Sequence, residues 1–148
     1  MRLVLDTDVV VAALRSPQGA SAALIRFLEQ GIGTLGARVL SALLLSVPLA
    51  LEYEAICLLA DHRLAAGLSK AEVEIFVNTL IALAVPVEMH FRWRPQLRDP
   101  CDEMVLETAI NGQADAIVSF NQRDYGKVPE SFGIELLLPR EALRRIKQ

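Results

Sequence analysis

The chain has 148 residues, the size of one domain with a substantial hydrophobic core. Its net charge of −3 does not indicate general nucleic-acid binding. Although 53% of the residues are hydrophobic, no apolar run approaches the ~18 residues that a membrane helix needs. The start lacks a signal-peptide pattern, so we expect a cytoplasmic protein without membrane association. The apolar excess fits either a subunit interface or a large core.

The predicted elements alternate between strands and helices. This alternation predicts one α/β domain, a three-layer α/β/α sandwich around a parallel sheet of about five strands. We expect strands over residues 2–5, 43–45, 85–89, 114–119 and 134–138, and helices over 9–14, about 20–30, 47 to about 59, 70 to about 84, 100–111 and from 139 onward.

Helix-capping signals fix several of these boundaries. Ser46 is the predicted N-cap of its helix, with Pro48 in the first turn, where a missing N–H is harmless. Ser69 and Glu72 form a capping box. Asp99 caps a helix that begins at Pro100 and stops at Gly112.

Isolated acids follow or interrupt apolar runs at separate places in the chain. In an open parallel sheet, ligands bind beyond the carboxyl ends of the strands, so these side chains are predicted to converge there. An oxygen-rich pocket of this kind suits Mg²⁺ or Mn²⁺. The candidate ligands are Asp6, Glu52, Asp102, Asn121 and Asp124.

Each acid also has a purely structural interpretation. Asp6 can cap the following helix, and Asp8 suits a cap or turn better than a metal site. Glu52 can lie on an exposed helical face, and Asp102 can share a capping arrangement with Asp99. Asp124 can be an ordinary loop acid, while Glu103 is a first-turn acid favoured by the helix dipole. Cys57 and Cys101 lack CxxC spacing and are expected to be reduced thiols.

Four segments in series resemble the PIN domain family over essentially the whole chain, which is expected to form a single PIN domain over residues 1–148. Residues 3–10 resemble its LDTN opening, and residues 45–54 its SxxLxxEY segment. Residues 98–103 resemble DPxDE, and residues 114–121 resemble ADxIVTFN, followed by Arg-Asp-Tyr where RDF is usual. The branch with these motifs contains the VapC-like toxins of bacterial type II toxin–antitoxin systems.

The resemblance implies a Mg²⁺- or Mn²⁺-dependent endoribonuclease that cuts RNA with a metal-activated water. It also implies a cognate antitoxin as partner, and a homodimer or higher homo-oligomer. Asn121 stands where the family has a fourth acid, and Asp8 where it has Asn. The implied catalytic residues are Asp6, Glu52, Asp102 and Asp124; the metal ligands are Asp6, Glu52, Asp102 and Asn121; the substrate contacts are Ser119, Arg123, Arg94 and Arg98.

Two alternatives remain open at this point. Asn121 favours a degenerate PIN fold that acts only as a binding module. The run from Asp6 to Val10 also fits the DxDx(T/V) motif of haloacid-dehalogenase-like phosphatases, with Asp6 as nucleophile, although Glu52 then has no role. The arginines near residues 92–98 either bind phosphates or are simply solvated.

Overall fold

A computed structural model describes residues 1–31, 41–92 and 96–148. The predicted α/β/α fold is confirmed. The elements are β1 (Arg2–Leu5), α1 (Thr7–Arg15), α2 (Ala20–Gln30), β2 (Ala42–Leu45), α3 (Val47–Cys57), α4 (Ala60–Ala66), α5 (Lys70–Leu83), β3 (Val85–Pro86), α6 (Pro100–Asn111), β4 (Ala116–Val118), α7 (Gln122–Tyr125), α8 (Val128–Ser131), β5 (Glu135–Leu137) and α9 (Pro139–Ile146).

The five strands are all parallel, in the order β3-β2-β1-β4-β5. β1 is central, and its residues 3–5 are completely buried, as expected for a strand covered by helices on both faces. β2 and β3 are added on one side of β1, and β4 and β5 on the other, so the strand order reverses between β1 and β4. Leu5 pairs with Val118 there, so both strands end side by side and leave a crevice.

The helix that follows β2 is tied to its surroundings by its own sequence signals. Ser46 caps α3 as predicted, with its Oγ accepting from the Leu49 backbone N–H, and it also hydrogen-bonds to Thr108 of α6 at 2.7 Å. The hydroxyl of buried Tyr53 donates to the Leu5 carbonyl, the last of β1. α3 and α6 are therefore fixed to each other, and α3 to the end of the central strand.

Several predicted boundaries are wrong in informative ways. The helix expected to reach about residue 59 ends at Cys57. Leu59 has a non-helical backbone conformation (ψ 136°) and is the N-cap of α4. The strand expected over residues 85–89 pairs only at Val85–Pro86. Further along, the N–H groups of His90 and Phe91 donate to the Asn111 side chain, outside the sheet. The four-residue helices α7 and α8 were not predicted.

The remaining helix signals are confirmed. Ser69 and Glu72 form a reciprocal capping box at the start of α5. Asp99 accepts the Cys101 N–H at 2.8 Å at the start of α6, and Gly112 follows its last residue. Among the described residues, no helix is both long and apolar enough to cross a bilayer.

Candidate functional site

Asp6 lies at the centre of the crevice between β1 and β4. It directly follows β1 and is 7% exposed, and its backbone N–H donates to the carbonyl of Val118 at 2.9 Å. Its side chain makes no helix-capping hydrogen bond, although Asp6 occupies the N-cap position of α1. The interpretation of Asp6 as merely a cap is therefore not supported by its contacts.

Two hydroxyl groups hold the Asp6 carboxylate by the same oxygen. Ser119, fully buried after β4, donates to Asp6 Oδ2 at 2.6 Å, and Tyr125 of α7 donates to it at 3.1 Å. Burial raises the pKa of Asp6, and these two hydrogen bonds offset part of the increase. The sequence did not predict a role for Tyr125. The one indication was that this chain has tyrosine where the RDF motif has phenylalanine.

Asp8 bridges the loops that follow β1 and β4. Its Oδ2 accepts the Phe120 N–H at 3.1 Å and lies 3.4 Å from Ser119 Oγ, while its buried Oδ1 has no partner among the described residues. Burial and the charge of Asp6 raise the pKa of Asp8 to about 6. Asp8 is the second residue of α1, and its side-chain hydrogen bonds reach the segment after β4, so the expected role as a cap or turn residue is wrong.

Asp102 faces the same crevice from the first turn of α6. It is 5% exposed, and its Oδ2 is buried without a hydrogen-bond partner among the described residues. Burial raises the pKa of Asp102 to about 6, and the charges of Asp6, Asp99 and Asp124 add to the effect. Asp6 and Asp102 come from distant parts of the sequence, so the fold has brought these two predicted acids together.

Glu52 lies half-buried on α3, beside the first turn of α6. Burial raises the pKa of the Cys101 thiol to about 11, with further contributions from its hydrogen bond to Glu52 and from Glu52's charge. Glu52 is thus at the predicted edge of the sheet, next to the residue that precedes Asp102.

The remaining predicted residues surround the segment that follows β4. Asn121 donates from Nδ2 to Asp124 Oδ2 at 2.9 Å, so these two residues contact each other. Arg98 and Arg123 are exposed, whereas Ser119 is fully buried and engaged with Asp6. Arg94 lies outside the described residues.

Glu103 lies in the first turn of α6, as expected, and has a second role that was not predicted. It is 3% exposed, and its Oε1 accepts the backbone N–H groups of Gln96 (2.6 Å) and Leu97 (2.7 Å). It therefore fastens the loop before α6 to the helix itself. Nothing in the local pattern distinguished it from an exposed acid.

The crevice fits a cation by charge and by the chemistry of its donors. Asp6, Asp8 and Asp102 are oxygen donors with raised pKa values, and two of their buried oxygens lack partners. No salt bridge recorded among the described residues neutralises any of the three. Yet within residues 1–31, 41–92 and 96–148, no group of three or more His, Cys, Asp or Glu side chains is arranged to hold a metal ion.

The molecule is thus an α/β/α domain with an acidic crevice at the reversal point of its sheet. The sequence profile of the PIN domain matches residues 2–123, and the chain belongs to the PIN domain family. No curated protein and no solved structure matches the chain. Because PIN domains are generally nucleases, this membership indicates a nuclease-type function. It also argues against the haloacid-dehalogenase-like alternative.

Proposed function

We propose that this PIN domain is an endoribonuclease that uses Mg²⁺ or Mn²⁺ to hydrolyse RNA phosphodiester bonds. The supporting observation is the set of uncompensated carboxylates in the crevice, above all Asp102, whose buried Oδ2 has no partner among the described residues. Buried anions without a cationic partner are costly, and sites that tolerate this cost usually bind a positive ligand.

Asp6, Glu52 and Asp102 are the proposed ligands of the divalent ion, with Asn121 at the edge of the site. When bound, such an ion lowers the pKa of a coordinated water and offsets charge on the phosphate. Ser119 and Tyr125 hold the Asp6 carboxylate in place through Oδ2. Asp124 places a further negative charge near Asp102. Arg98 and Arg123, both exposed, are proposed to bind the phosphates that flank the scissile bond.

The VapC-like motifs further suggest a toxin of a type II toxin–antitoxin system that works in the cytoplasm with a cognate antitoxin. We also propose a homodimer or higher homo-oligomer. Apolar side chains exposed on α3 and α5, including Val47 (73%), Leu51 (62%) and Ile75 (66%), are the features that favour self-association.

The test of the nuclease proposal uses Asp6→Asn in the purified protein. We expect this variant to cleave a single-stranded RNA at least ~100-fold more slowly in Mn²⁺, because a charged ligand is replaced by a neutral one. Asp61→Asn, at an exposed aspartate of α4, is the matched control and should cleave normally. Circular dichroism melts should show both variants folded, and undiminished cleavage by Asp6→Asn would refute the proposal.

The alternative, a binding module without catalysis, is favoured by two observations. Asn121 contributes no charge and contacts Asp124, and no compact ligand group is present among the described residues. Calorimetry separates the two functions: the nuclease should bind Mn²⁺ with an affinity that Asp102→Asn reduces. An unmodified protein that binds RNA but gives no heat with Mn²⁺ would favour the binding module.

A further inference from the structure

A surface trough lies next to the acidic crevice, between the loop before α6 and the segment from α7 to α8. Residues 96–98 form one side and residues 123–128 the other, around a cavity of about 450 Å³. We call this feature the basic trough. Its size is in the range of ligand-binding clefts, and it is open to solvent along its length.

The basic trough carries an excess of positive charge in a chain that is acidic as a whole. Arg98, Arg123 and Lys127 line it and are exposed, and the only carboxylate in its lining is Asp124, which contacts Asn121. None of the three cations forms a salt bridge within the described parts of the chain. They are therefore available to an anionic ligand.

Both sides of the basic trough are held in place from inside the domain. Glu103 accepts the N–H groups of Gln96 and Leu97 and fixes the first side. On the other side, Gly126 adopts φ 53° and ψ −128°, which a residue with a side chain adopts only with strain. This turn separates α7 from α8 and is immediately followed by Lys127.

The basic trough also adjoins the candidate active site, because the charge of Asp124, which lines it, acts on Asp102. Tyr125 lines it, and its buried hydroxyl donates to Asp6 Oδ2 at 3.1 Å. A chain of phosphates lying in the trough would therefore pass beside the crevice that holds Asp6 and Asp102. This arrangement suits a polyanion that places one of its phosphodiester bonds at Asp6 and Asp102.

Phe120 adds an exposed aromatic ring at the same edge of the sheet. It lies between Ser119 and Asn121, and its side chain is 51% exposed although its backbone N–H is bound to Asp8 at 3.1 Å. The fold thus holds the backbone of Phe120 firmly while leaving its ring in solvent. Exposed aromatic rings beside cationic grooves are typical of proteins that stack the bases of single strands.

We propose that the basic trough binds the backbone phosphates of a single-stranded RNA through Arg98, Arg123 and Lys127, and that Phe120 stacks on a base of that strand. This inference rests on the proposed ribonuclease function, because it describes the path along which the RNA strand reaches the acidic crevice. Base stacking requires an unpaired base, which a duplex does not offer.

The phosphate contacts are tested by binding without catalysis. Fluorescence anisotropy of a labelled oligouridine is measured with the full chain in EDTA over a series of salt concentrations. Each phosphate contact contributes about −0.7 to the slope of log K against log salt for single strands. The double variant R123A/K127A should reduce the steepness of the slope by about 1.4. Lys70→Ala, an exposed lysine of α5 at the other edge of the sheet, should leave it unchanged.

The stacking contact is tested in the same assay. Phe120→Ala should weaken oligouridine binding at least about fivefold without changing the salt slope, and Phe120→Trp should restore it. Phe91→Ala is the matched control, because Phe91 is also an exposed phenylalanine (62%) but lies near Asn111, at the far end of α6. Circular dichroism verifies that every variant is folded.

The outcomes separate this inference from the nuclease proposal. Equal salt slopes for R123A/K127A and Lys70→Ala, unchanged affinity in Phe120→Ala, or equal affinity for an RNA duplex or a glutamate-rich peptide would each overturn it. If the variants behave as expected but Mn²⁺ supports no cleavage, the strand path stands and the nuclease function fails. If cleavage occurs and the variants have no effect on binding, the nuclease function stands and the strand path fails.

Discussion

Two adjacent carboxylates on α6 are nearly equally buried but differ in their hydrogen bonds and in the charges around them. Asp102 is 5% exposed and Glu103 is 3% exposed. Each leaves one buried oxygen, Asp102 Oδ2 and Glu103 Oε2, without a partner among the described residues. The other oxygen of Glu103, Oε1, accepts two backbone N–H groups, whereas Asp102 lies near the negative charges of Asp6, Asp99 and Asp124. Neither burial nor one unpartnered oxygen therefore marks a functional acid; the two acids differ in whether the backbone donates to the carboxylate and in how many like charges lie near it.

The largest expected effect on stability comes from replacing Glu103. Glu103→Ala should lower the free energy of unfolding by about 3 kcal/mol, because two N–H groups lose a charged acceptor. Urea unfolding measures this loss. Glu130→Ala, at an exposed residue of α8, is the control and should change it by less than about 0.5 kcal/mol. Equal effects of the two variants would show that Glu103 is not a structural clamp.

The unsatisfied acids should make stability depend on pH in the unusual direction. Burial and neighbouring charges raise the pKa of Asp8 and Asp102 to about 6 from 3.8 in the unfolded chain. Between about pH 4 and 6 the folded state then binds more protons than the unfolded state, so stability falls as pH rises. We expect the free energy of unfolding to fall across this window in EDTA, measured by urea unfolding at each pH. Stability that rises with pH throughout would contradict this.

Neutralising the unsatisfied acid should stabilise the metal-free protein. Asp102→Asn removes a charge that Asp6, Asp99 and Asp124 repel, and we expect a gain of about 1 kcal/mol at pH 7 in EDTA. The gain should shrink at about pH 4, where the native carboxyl is already protonated. A thermal melt at both pH values measures it, and a loss of stability at pH 7 would place Asp102 with Glu103 as a structural acid.

The smallest effect concerns the hydroxyl that touches the acidic crevice. Tyr125→Phe removes one hydrogen bond to Asp6 and should cost about 1 kcal/mol at pH 7. Burial and the charge of Asp6 raise the pKa of Tyr125, so the hydroxyl is a donor at neutral pH. The loss should be smaller in an Asp6→Asn background, and equal losses in both backgrounds would mean that the hydrogen bond has no energetic role.

The sequence predicted the parts of the fold that local rules govern. The capping residues Ser46, Ser69 and Asp99 were found at the expected helix ends because their hydrogen bonds lie within three residues. The parallel sheet followed from the alternation of elements. The edge strand and the helices α4, α7 and α8 were misjudged, because short elements show too little periodicity to distinguish them from loops.

The candidate site was predictable only in part. Asp6 and Asp102 lie close enough for the charge of Asp6 to raise the pKa of Asp102, because parallel strands and the helices between them share one edge. The roles of Tyr125 and Glu103 depend on where distant backbone and side-chain atoms are placed by packing. Tyr125 is 119 residues from its partner Asp6, and no periodic pattern reports such a contact.

The link between Ser46 and Thr108 has a consequence for how the site responds to a ligand. It joins the beginning of α3, which carries Glu52, to the body of α6, which carries Asp102, while Tyr53 fastens α3 to the last carbonyl of β1. The three elements that position Asp6, Glu52 and Asp102 are therefore joined directly by hydrogen bonds. Any closing of the carboxylates around a cation would come from rotation of their side chains, leaving the backbone unmoved.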